Sequence, residues 1–376
     1  MRFETIIIGA GSMGMAAGYY AAKRGNKVLL IDAHDPPHTE GSHHGETRII
    51  RHAYGEGENY VPMALRAQEL WLELEKVSGK KLFLQTGVVN AGTPDSPFIK
   101  NVMKSSEMYS LPVEVLTAEQ MNAKWPGFHF SNEYMGCFEK NSGVLMVEEC
   151  VRAYRELAEK IGAVVKTHTT VTGMNANHGQ VSVQTNHGEF TGNTLIVTAG
   201  RGTGPLLSKL GLQVPIQPVR KTFSWFDSNE EIYREGEFPA FGIQYAHSDE
   251  MYYGFPSIHG AGVKIGRHDG GQPVEPNEPL ADFGAFPEDE QDVKHFAERF
   301  MSEEMPLKYG KTCVYTNSPD SDFIIDQYPE WPNVLFACGF SGHGFKFASA
   351  VGEILSQLAL DGRTELDISG FAFDRF

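Results

Sequence analysis

The chain has 376 residues, of which 41% are hydrophobic and 21% are charged, and this composition excludes a disordered or collagen-like protein. Its 32 basic and 48 acidic side chains leave a formal charge of −16, and such a surface repels nucleic-acid phosphates and anionic lipids. We therefore expect neither nucleic acid nor a membrane as a partner. Because single domains rarely grow beyond about 300 residues, two lobes are expected.

Cysteine usage and one uncharged stretch bear on the location of the protein. The chain has four cysteines: Cys137, Cys150, Cys313 and Cys338. They form no CxxC pair and are too few for a disulfide scaffold, which favours a cytoplasmic protein without a metal site. The uncharged stretch Thr5–Ala22 is similar to a membrane anchor, but the preceding Glu4 and the glycines within it argue against that interpretation.

The first 32 residues have the order of a dinucleotide-binding unit. A β-branched run over Thr5–Ile8 predicts a buried strand, and it is followed by the GxGxxG sequence Gly9–Gly14. A predicted helix over Met15–Arg24 leads to a second predicted strand, Lys27–Ile31, which ends in Asp32. This order of strand, glycine turn, helix, strand and acid predicts that the segment binds a dinucleotide.

Each residue of this motif has a physical role. Gly9 permits the tight turn, Gly11 lets the backbone approach a pyrophosphate, and Gly14 lets the helix and strand pack closely. The phosphates lie at the positive end of the helix. Asp32 can accept hydrogen bonds from a ribose diol, so the motif favours FAD or NAD over NADP.

The following segment, residues 41–57, is rich in histidine and arginine. It contains His43, His44, Arg48, Arg51 and His52. A solvated polar loop and a metal site are both alternatives for this segment. Two guanidinium groups beside a dinucleotide fold are better suited to binding an anion, because each presents a planar, permanently charged fork to a carboxylate.

The rest of the chain alternates between segments that resemble the N-terminal α/β unit and segments with the pattern of an antiparallel sheet. Apolar periodicity predicts helices from Pro62 to Gly79 and over Met146–Ile161, and strands are predicted at Val164–Thr169, Val181–Thr185 and Thr194–Thr198. Residues 216–270 alternate aromatic and polar side chains, a pattern typical of an antiparallel sheet. We therefore predict an α/β fold in which a β-rich lobe is inserted twice into a Rossmann-like domain. The predicted domains are 1–82, 146–215 and 318–376 for the nucleotide, and 83–145 and 216–317 for the substrate.

A second glycine turn lies near the C-terminus. The predicted strand Val334–Cys338 runs into the sequence GFSGHGFK, in which Gly342 and Gly344 allow backbone to approach a flat ligand or a phosphate. His343 and Lys346 stand at the start of the apolar helix that follows. This placement predicts a second part of the same ligand site.

Five long blocks of sequence extend the argument beyond short motifs. They are GAGSMGMAAGYY, DPPHTEGSHHGETRIIRHAYGEG, YYGFPS followed by VKIGRH, CVYTNSPDSDFIID, and GFSGHGFKFAS. In these blocks the chain resembles the monomeric sarcosine oxidase family of flavin amine oxidases, which includes N-methyltryptophan oxidase. The resemblance runs from residue 9 to residue 349 and therefore covers essentially the whole chain.

The resemblance implies FAD attached covalently through Cys313 and an oxygen-activating cation at Lys264. It implies that Arg51 and Lys346 hold the substrate carboxylate. The residues implied to line the pocket or contact FAD are Tyr253, His268, Tyr315, His44, Arg48, Asp32 and Val171. Physically, a thiolate is the competent nucleophile for the tether, and a fixed cation stabilises the negative charge that develops on oxygen.

The implied reaction is the oxidative demethylation of a small N-methyl amino acid by O2. Its products are the primary amino acid, formaldehyde and hydrogen peroxide, and the resemblance suggests a monomer. Sarcosine is the favoured substrate, with N-methyltryptophan as the alternative. An NAD-dependent dehydrogenase and a non-catalytic flavin-binding module are further alternatives; the first would be colourless, and the second would be yellow but inert to amines.

Some residues depart from the family pattern. Gly200 is followed by Arg201, whereas the family usually has an aromatic residue shortly after this point. The contact that this aromatic residue makes to the cofactor region is therefore in doubt here. Gly242 stands where a larger side chain is common, so we expect a pocket with room for a bulkier substrate. The blocks around Trp225 and NSPDSDFIID are more similar to N-methyltryptophan oxidase, whereas the first 70 residues are more similar to sarcosine oxidase.

Overall fold

A computed structural model describes residues 2–376 of the chain. Among these residues there are 21 strands and nine α-helices. The strands are β1 Thr5–Ile8, β2 Val28–Ile31, β3 Thr47–Ile50, β4 Phe83–Leu84, β5 Val88–Gly92, β6 Val113–Thr117, β7 Met135–Glu139, β8 Gly143–Met146, β9 Val164–Lys166, β10 Val171–Asn177, β11 Gln180–Thr185, β12 Gly188–Gly192, β13 Thr194–Val197, β14 Gln217–Phe226, β15 Ala240–Gln244, β16 Met251–Phe255, β17 Val263–Arg267, β18 Gln272–Pro273, β19 Leu307–Asn317, β20 Ile324–Gln327 and β21 Val334–Cys338. The helices are α1 Ser12–Lys23, α2 Val61–Ser78, α3 Pro97–Met108, α4 Ala118–Lys124, α5 Val147–Lys160, α6 Thr203–Ser208, α7 Glu230–Tyr233, α8 Glu288–Phe300 and α9 Ala348–Asp361.

A six-stranded sheet holds the N-terminal motif. Its order is β20-β21-β13-β1-β2-β9, and every pair is parallel except β20 with β21. Every residue of β1 and β2 is buried, as expected for parallel strands covered on both faces. Helix α1 packs so closely on α9 that a Cβ on Gly352 would lie 2.4 Å from the Cβ of Ala16.

A nine-stranded sheet forms the second layer of the molecule. Its order is β18-β14-β17-β16-β15-β5-β7-β6, and β19 pairs with β14. All its pairs are antiparallel except β5 with β15. The longest ladder, between β14 and β19, runs from Gln217 opposite Asn317 to Phe226 opposite Leu307. This sheet carries Lys264 on β17 and Cys313 on β19.

Two small sheets complete the fold. Strands β10, β11 and β12 form an antiparallel sheet, and β3, β8 and β4 form another. Strand β3 belongs to the histidine- and arginine-rich segment, and Arg51 follows directly after it. The small β3 sheet therefore places the predicted anion-binding arginines.

The predicted fold class is confirmed: a parallel sheet with helices is joined to separate, mainly antiparallel sheets. Strands β1 and β21 have the predicted bounds, whereas α1 begins at Ser12, three residues before the predicted start at Met15. The parallel pairing of β5 with β15 shows that the second sheet is mixed rather than purely antiparallel. The domain boundaries stay a prediction. Within residues 2–376, no helix is both long enough and apolar enough to cross a membrane.

Candidate active site

A cavity of about 670 Å³ opens at the carboxyl ends of the parallel strands, where open α/β sheets bind ligands. Ile8, Ile31 and Cys338, which end β1, β2 and β21, all line it. So do eight of the sequence-predicted site residues: Gly9, Gly11, Asp32, Arg48, Val171, Tyr315, Gly342 and Gly344. The N-terminal motif and the C-terminal glycine turn therefore face one space.

Glycine is required at each position of the motif for a different local reason. Gly9 has φ of 89°, a left-handed conformation that favours glycine. A Cβ on Gly14 would lie 2.0 Å from the carbonyl oxygen of Gly9, so this position keeps the helix against the strand. Gly14 does not line the cavity; its part is packing, and Gly11 provides the exposed backbone.

Asp32 is held for hydrogen bonding at the end of β2. Its carboxylate accepts backbone hydrogen bonds from Ala10 (2.8 Å) and His34 (2.9 Å), and Nε2 of His38 lies 3.3 Å away. Burial alone would raise the pKa of Asp32, but His38 and the two amides outweigh it and hold the pKa below its ordinary value. An ionised carboxylate at this point fits a ribose diol.

A smaller cavity of about 80 Å³ adjoins the first, and Arg48, Tyr315 and Gly342 line both. The smaller cavity is also lined by five other predicted residues: Arg51, Tyr253, His268, His343 and Lys346. Burial lowers the pKa of His268 to about 4 and that of His343 to about 3, so both rings are neutral at physiological pH. The chain thus brings residues of four distant segments to one small space.

Arg51 already has a carboxylate partner within the chain. Its Nη2 donates to both carboxylate oxygens of Glu56, at 2.7 and 2.6 Å. The guanidinium carbon lies 4.6 Å from the ring centre of Tyr54 and 5.3 Å from that of Phe98. Burial would raise the pKa of Glu56, but the charge of Arg51 lowers it to about 2. Arg51 is therefore a built carboxylate-binding group.

Lys346 is the second cation of the small cavity. Its Nζ donates to the hydroxyl of Tyr54 at 3.0 Å and to the carbonyl of His343 at 2.8 Å. The same Tyr54 hydroxyl lies 2.8 Å from Nδ1 of His343. Burial lowers the pKa of Lys346 to about 7, because neutral hydrogen bonds replace water around the charge.

Lys264 lies on β17 with 2% of its surface exposed. Its Nζ donates to the carbonyl of Gly45 at 2.5 Å and to the hydroxyl of Thr47 at 3.1 Å. The rings of Phe223, Trp225 and Phe255 surround it with centres 4.4, 5.2 and 4.8 Å away. Burial lowers its pKa well below the ordinary value, and oxygen and aromatic contacts favour the charged form.

Cys313 is buried on β19, directly opposite Lys221 of β14. Burial raises the pKa of its thiol, while the charges of Arg48, Lys221 and Lys264 act in the opposite direction. Neither Cys313 nor Lys264 lines the two cavities, but Val314 and Tyr315, which follow Cys313 on the strand, line the larger one.

His44 is buried, and neither of its ring nitrogens has a hydrogen-bond partner among residues 2–376. Burial lowers its pKa to about 3, so the ring is neutral. It does not line either cavity. The glycine cradle and the ionised Asp32, which do line the large cavity, fit a dinucleotide cofactor better than a solvated loop. In the described part of the chain, no group of three or more acidic, histidine or cysteine side chains is arranged to hold a metal ion.

Sequence reasoning missed several residues of the site. Glu56 stood in a quoted block without an assigned role, and Lys221 and Asn90 carried no local signal. The expected extra room at Gly242 is not open, because a Cβ there would lie 3.1 Å from Cε of Met251 and 3.2 Å from Oδ1 of Asn90. Arg201 lines the large cavity, where it donates to the carbonyl of Glu278 at 2.8 Å.

The fold and the two adjoining cavities define a dinucleotide-binding protein with a separate small-molecule pocket, and residues 4–358 match the family described as DAO: FAD dependent oxidoreductase. The chain belongs to this family, and FAD is its cofactor. The family match favours FAD over the NAD alternative.

Two relatives with similar full-length sequences refine the comparison. The monomeric sarcosine oxidase of Bacillus sp. (strain B-0618) is 50% identical over 377 residues, which cover 100% of this chain and 96% of the relative. The N-methyl-L-tryptophan oxidase of Escherichia coli O139:H28 is 42% identical, with 100% of both chains covered. Among solved structures, L-proline dehydrogenase from P. horikoshii has a TM-score of 0.88 at 22% identity and shares the fold over 100% of this chain and 98% of that one.

Proposed function

We propose that the protein oxidatively demethylates a small N-methyl amino acid with O2 and water, the water hydrolysing the imine product, and releases the primary amino acid, formaldehyde and hydrogen peroxide. The observation that carries this proposal is the pair of buried cations, Arg51 and Lys346, in a cavity that adjoins the dinucleotide cavity. The names of the two relatives support the same chemistry. Sarcosine is the simplest substrate of this class.

The carboxylate of the substrate binds between Arg51 and Lys346. It replaces Glu56 at the guanidinium and gives Lys346 a counter-charge, so that both cations are satisfied in the complex. FAD held in the adjoining cavity would supply the two-electron redox chemistry between the substrate and O2. The two cations hold the amino acid in one orientation, and this positioning is their main contribution.

The remaining wall of the cavity suits a secondary amine. The neutral ring of His268 does not repel the substrate nitrogen, and it can accept a hydrogen bond from it. Burial raises the pKa of Tyr253 to about 12, so its hydroxyl stays protonated and can donate. These groups favour the uncharged amine, the form that loses hydride most readily.

Lys264 and Cys313 do not line the cavities, but this proposal gives each of them a role. Lys264 stabilises negative charge that develops on oxygen, since it is a fixed cation in a dry aromatic setting. Cys313 carries FAD covalently, and Lys221, its neighbour across the ladder, favours the thiolate required for attachment.

The size of the cavity supports a small substrate over N-methyltryptophan. Its volume is about 80 Å³, and Met251 and Asn90 lie against Gly242, where an indole would need space. We further propose that the protein is cytoplasmic, which its four unpaired cysteines support, and that it is a monomer, which the name of the monomeric sarcosine oxidase relative supports.

The proposal is tested with a panel of N-methyl amino acids of increasing side-chain size, scored for peroxide and formaldehyde. The purified protein should be yellow, and the colour should remain with the pellet after acid precipitation. Colourless protein that reduces NAD, or yellow protein inert to every secondary amine, would contradict the proposal. Sedimentation of the purified protein checks the monomer.

A further inference from the structure

Asn90 is a buried amide without a partner. It lies on β5 with 0% of its surface exposed, and neither Oδ1 nor Nδ2 has a hydrogen-bond partner among residues 2–376. Buried amides are nearly always hydrogen-bonded, because burial removes their water contacts. Asn90 lines the small cavity, so the missing partner can be supplied by a bound molecule.

The strands place Asn90 in a row of cavity residues. Asn90 is in register with Gly242 of β15, and Gly242 is in register with Tyr253 of β16. Residues in register across neighbouring strands share one face of the sheet. Gly242 therefore leaves bare backbone between the Asn90 carboxamide and the Tyr253 ring, and all three residues line the cavity.

This wall lies close to the proposed carboxylate site. The ring of Phe98 approaches a Gly242 Cβ to 3.7 Å, and its centre lies 5.3 Å from the guanidinium carbon of Arg51. A substrate carboxylate on Arg51 is one bond away from the α-carbon, and both the amine and the side chain branch from that carbon. In the proposed function the amine faces His268, which leaves the Asn90 wall of the same cavity for the side chain.

We propose that Asn90 binds the side chain of the substrate and selects N-methyl amino acids with a short hydrogen-bonding group, of which N-methyl-L-serine is the simplest. The Asn90 carboxamide offers a donor and an acceptor, and a hydroxyl matches either. An apolar side chain of equal size leaves the amide unpaired and is disfavoured for that reason. This inference rests on the proposed function and refines its substrate class.

The test compares N-methyl-L-serine with N-methyl-L-2-aminobutyrate, which carries a methyl group in place of the hydroxyl. The wild-type enzyme should prefer the serine derivative by about tenfold or more in kcat/KM, on the order of one buried hydrogen bond. The variant Asn90→Leu, of similar volume, should bring that ratio to about one. Anaerobic titration should show that the preference lies in Kd rather than in the rate of flavin reduction.

Two further variants make the test specific. Gln244→Met removes a buried amide of β15 that does not line the cavity, and it should leave the substrate ratio unchanged. Gly242→Ala places a methyl group 3.2 Å from Oδ1 of Asn90 and should lower kcat/KM for N-methyl-L-serine relative to sarcosine. This variant tests the inference even where Asn90→Leu does not fold.

The possible failures are distinguishable. If the wild-type enzyme oxidises no N-methyl amino acid, the proposed function itself is wrong. If the wild-type enzyme oxidises the two isosteres with equal kcat/KM, or if Asn90→Leu lowers kcat/KM for both to the same degree, Asn90 does not recognise the side chain of the substrate. Loss of bound flavin in Asn90→Leu, seen in its visible spectrum, would assign the amide to the cofactor and overturn the inference.

Discussion

Glu56 holds the guanidinium of Arg51 through both of its carboxylate oxygens, at 2.7 and 2.6 Å from one nitrogen. The group that we assign to the substrate carboxylate is therefore already paired with a carboxylate of the chain. Substrate binding has to displace Glu56, and Glu56 is partly exposed, on a loop beside Gly55 and Gly57. The free energy of substrate binding thus depends on the difference between two ion pairs, the one that Arg51 forms with the substrate and the one that it forms with Glu56.

The first prediction concerns this competition. Glu56→Gln should bind propionate, a simple carboxylate, about 3- to 10-fold more tightly, because the neutral amide competes less well for Arg51. The variant should lose about 1 kcal/mol of stability, the range of partly exposed ion pairs. Flavin difference spectra give the dissociation constant. Glu58→Gln removes an exposed pair with Lys104 and serves as the control; equal affinities in both variants would argue against competition.

The second prediction concerns pH. Lys346 has a pKa of about 7 in the free protein, and a bound carboxylate raises it, so propionate should bind best below pH 7. As the pH rises above 7, the dissociation constant should increase by up to tenfold per unit, because binding then requires proton uptake. His268, His343 and Glu56 titrate at lower pH and do not mask the effect.

The pH dependence has its own control. Lys346→Met should bind propionate weakly at every pH between 6 and 9. A wild-type dissociation constant that does not change over this range would show that Lys346 keeps its charge without a ligand.

The third prediction separates the two half-reactions. Lys264→Met should slow the reaction of reduced enzyme with O2 by about 100-fold or more, while the anaerobic reduction rate changes little. Burial lowers the pKa of Lys264, so this lysine loses its charge at a lower pH than an ordinary lysine does. The oxygen reaction of the wild-type enzyme should therefore slow as the pH rises through this lowered pKa. Stopped-flow absorbance measures both steps.

A second lysine beside the same indole provides the comparison. Lys311 lies 5.1 Å from the ring of Trp225 but is exposed, so Lys311→Met should leave the oxygen reaction unchanged. Equal slowing of both half-reactions in Lys264→Met would contradict the role proposed for this residue.

The fourth prediction concerns the covalent attachment. Cys313→Ala should release the yellow colour into the supernatant after acid precipitation, and the intact mass should fall by that of FAD. Lys221→Met should lower the attached fraction, because its charge favours the Cys313 thiolate. Cys150→Ala alters a buried cysteine of helix α5 and should keep the adduct. Colour that still pellets with Cys313→Ala would place the tether elsewhere.

Local patterns predicted the nucleotide part of the fold well. Strands β1 and β21 are short apolar runs that end in glycine turns, and their burial follows from sequence alone. Contacts between distant segments were not accessible in this way. The Arg51–Glu56 pair depends on a loop conformation, and the proximity of Asn90 to Gly242 depends on a parallel pairing between β5 and β15.

The expectation at Gly242 shows the same limit. A missing side chain predicts free space only when the neighbours are known. Met251 is nine positions away in sequence, but the β15–β16 hairpin brings its methyl group to that space. Cys313 and Lys264 were found through long family blocks, since neither has a local pattern that separates it from an ordinary buried cysteine or a strand lysine.

The Tyr54 hydroxyl joins two groups from the other end of the chain, Nδ1 of His343 and Nζ of Lys346. Trp71, also from the N-terminal part, donates to the carbonyl of Lys346 at 2.8 Å. During synthesis Arg51 leaves the ribosome almost 300 residues before Lys346. A nascent or truncated chain thus has only one half of the acid-binding pair, and recognition of the amino acid begins only when the last segment has docked onto the first.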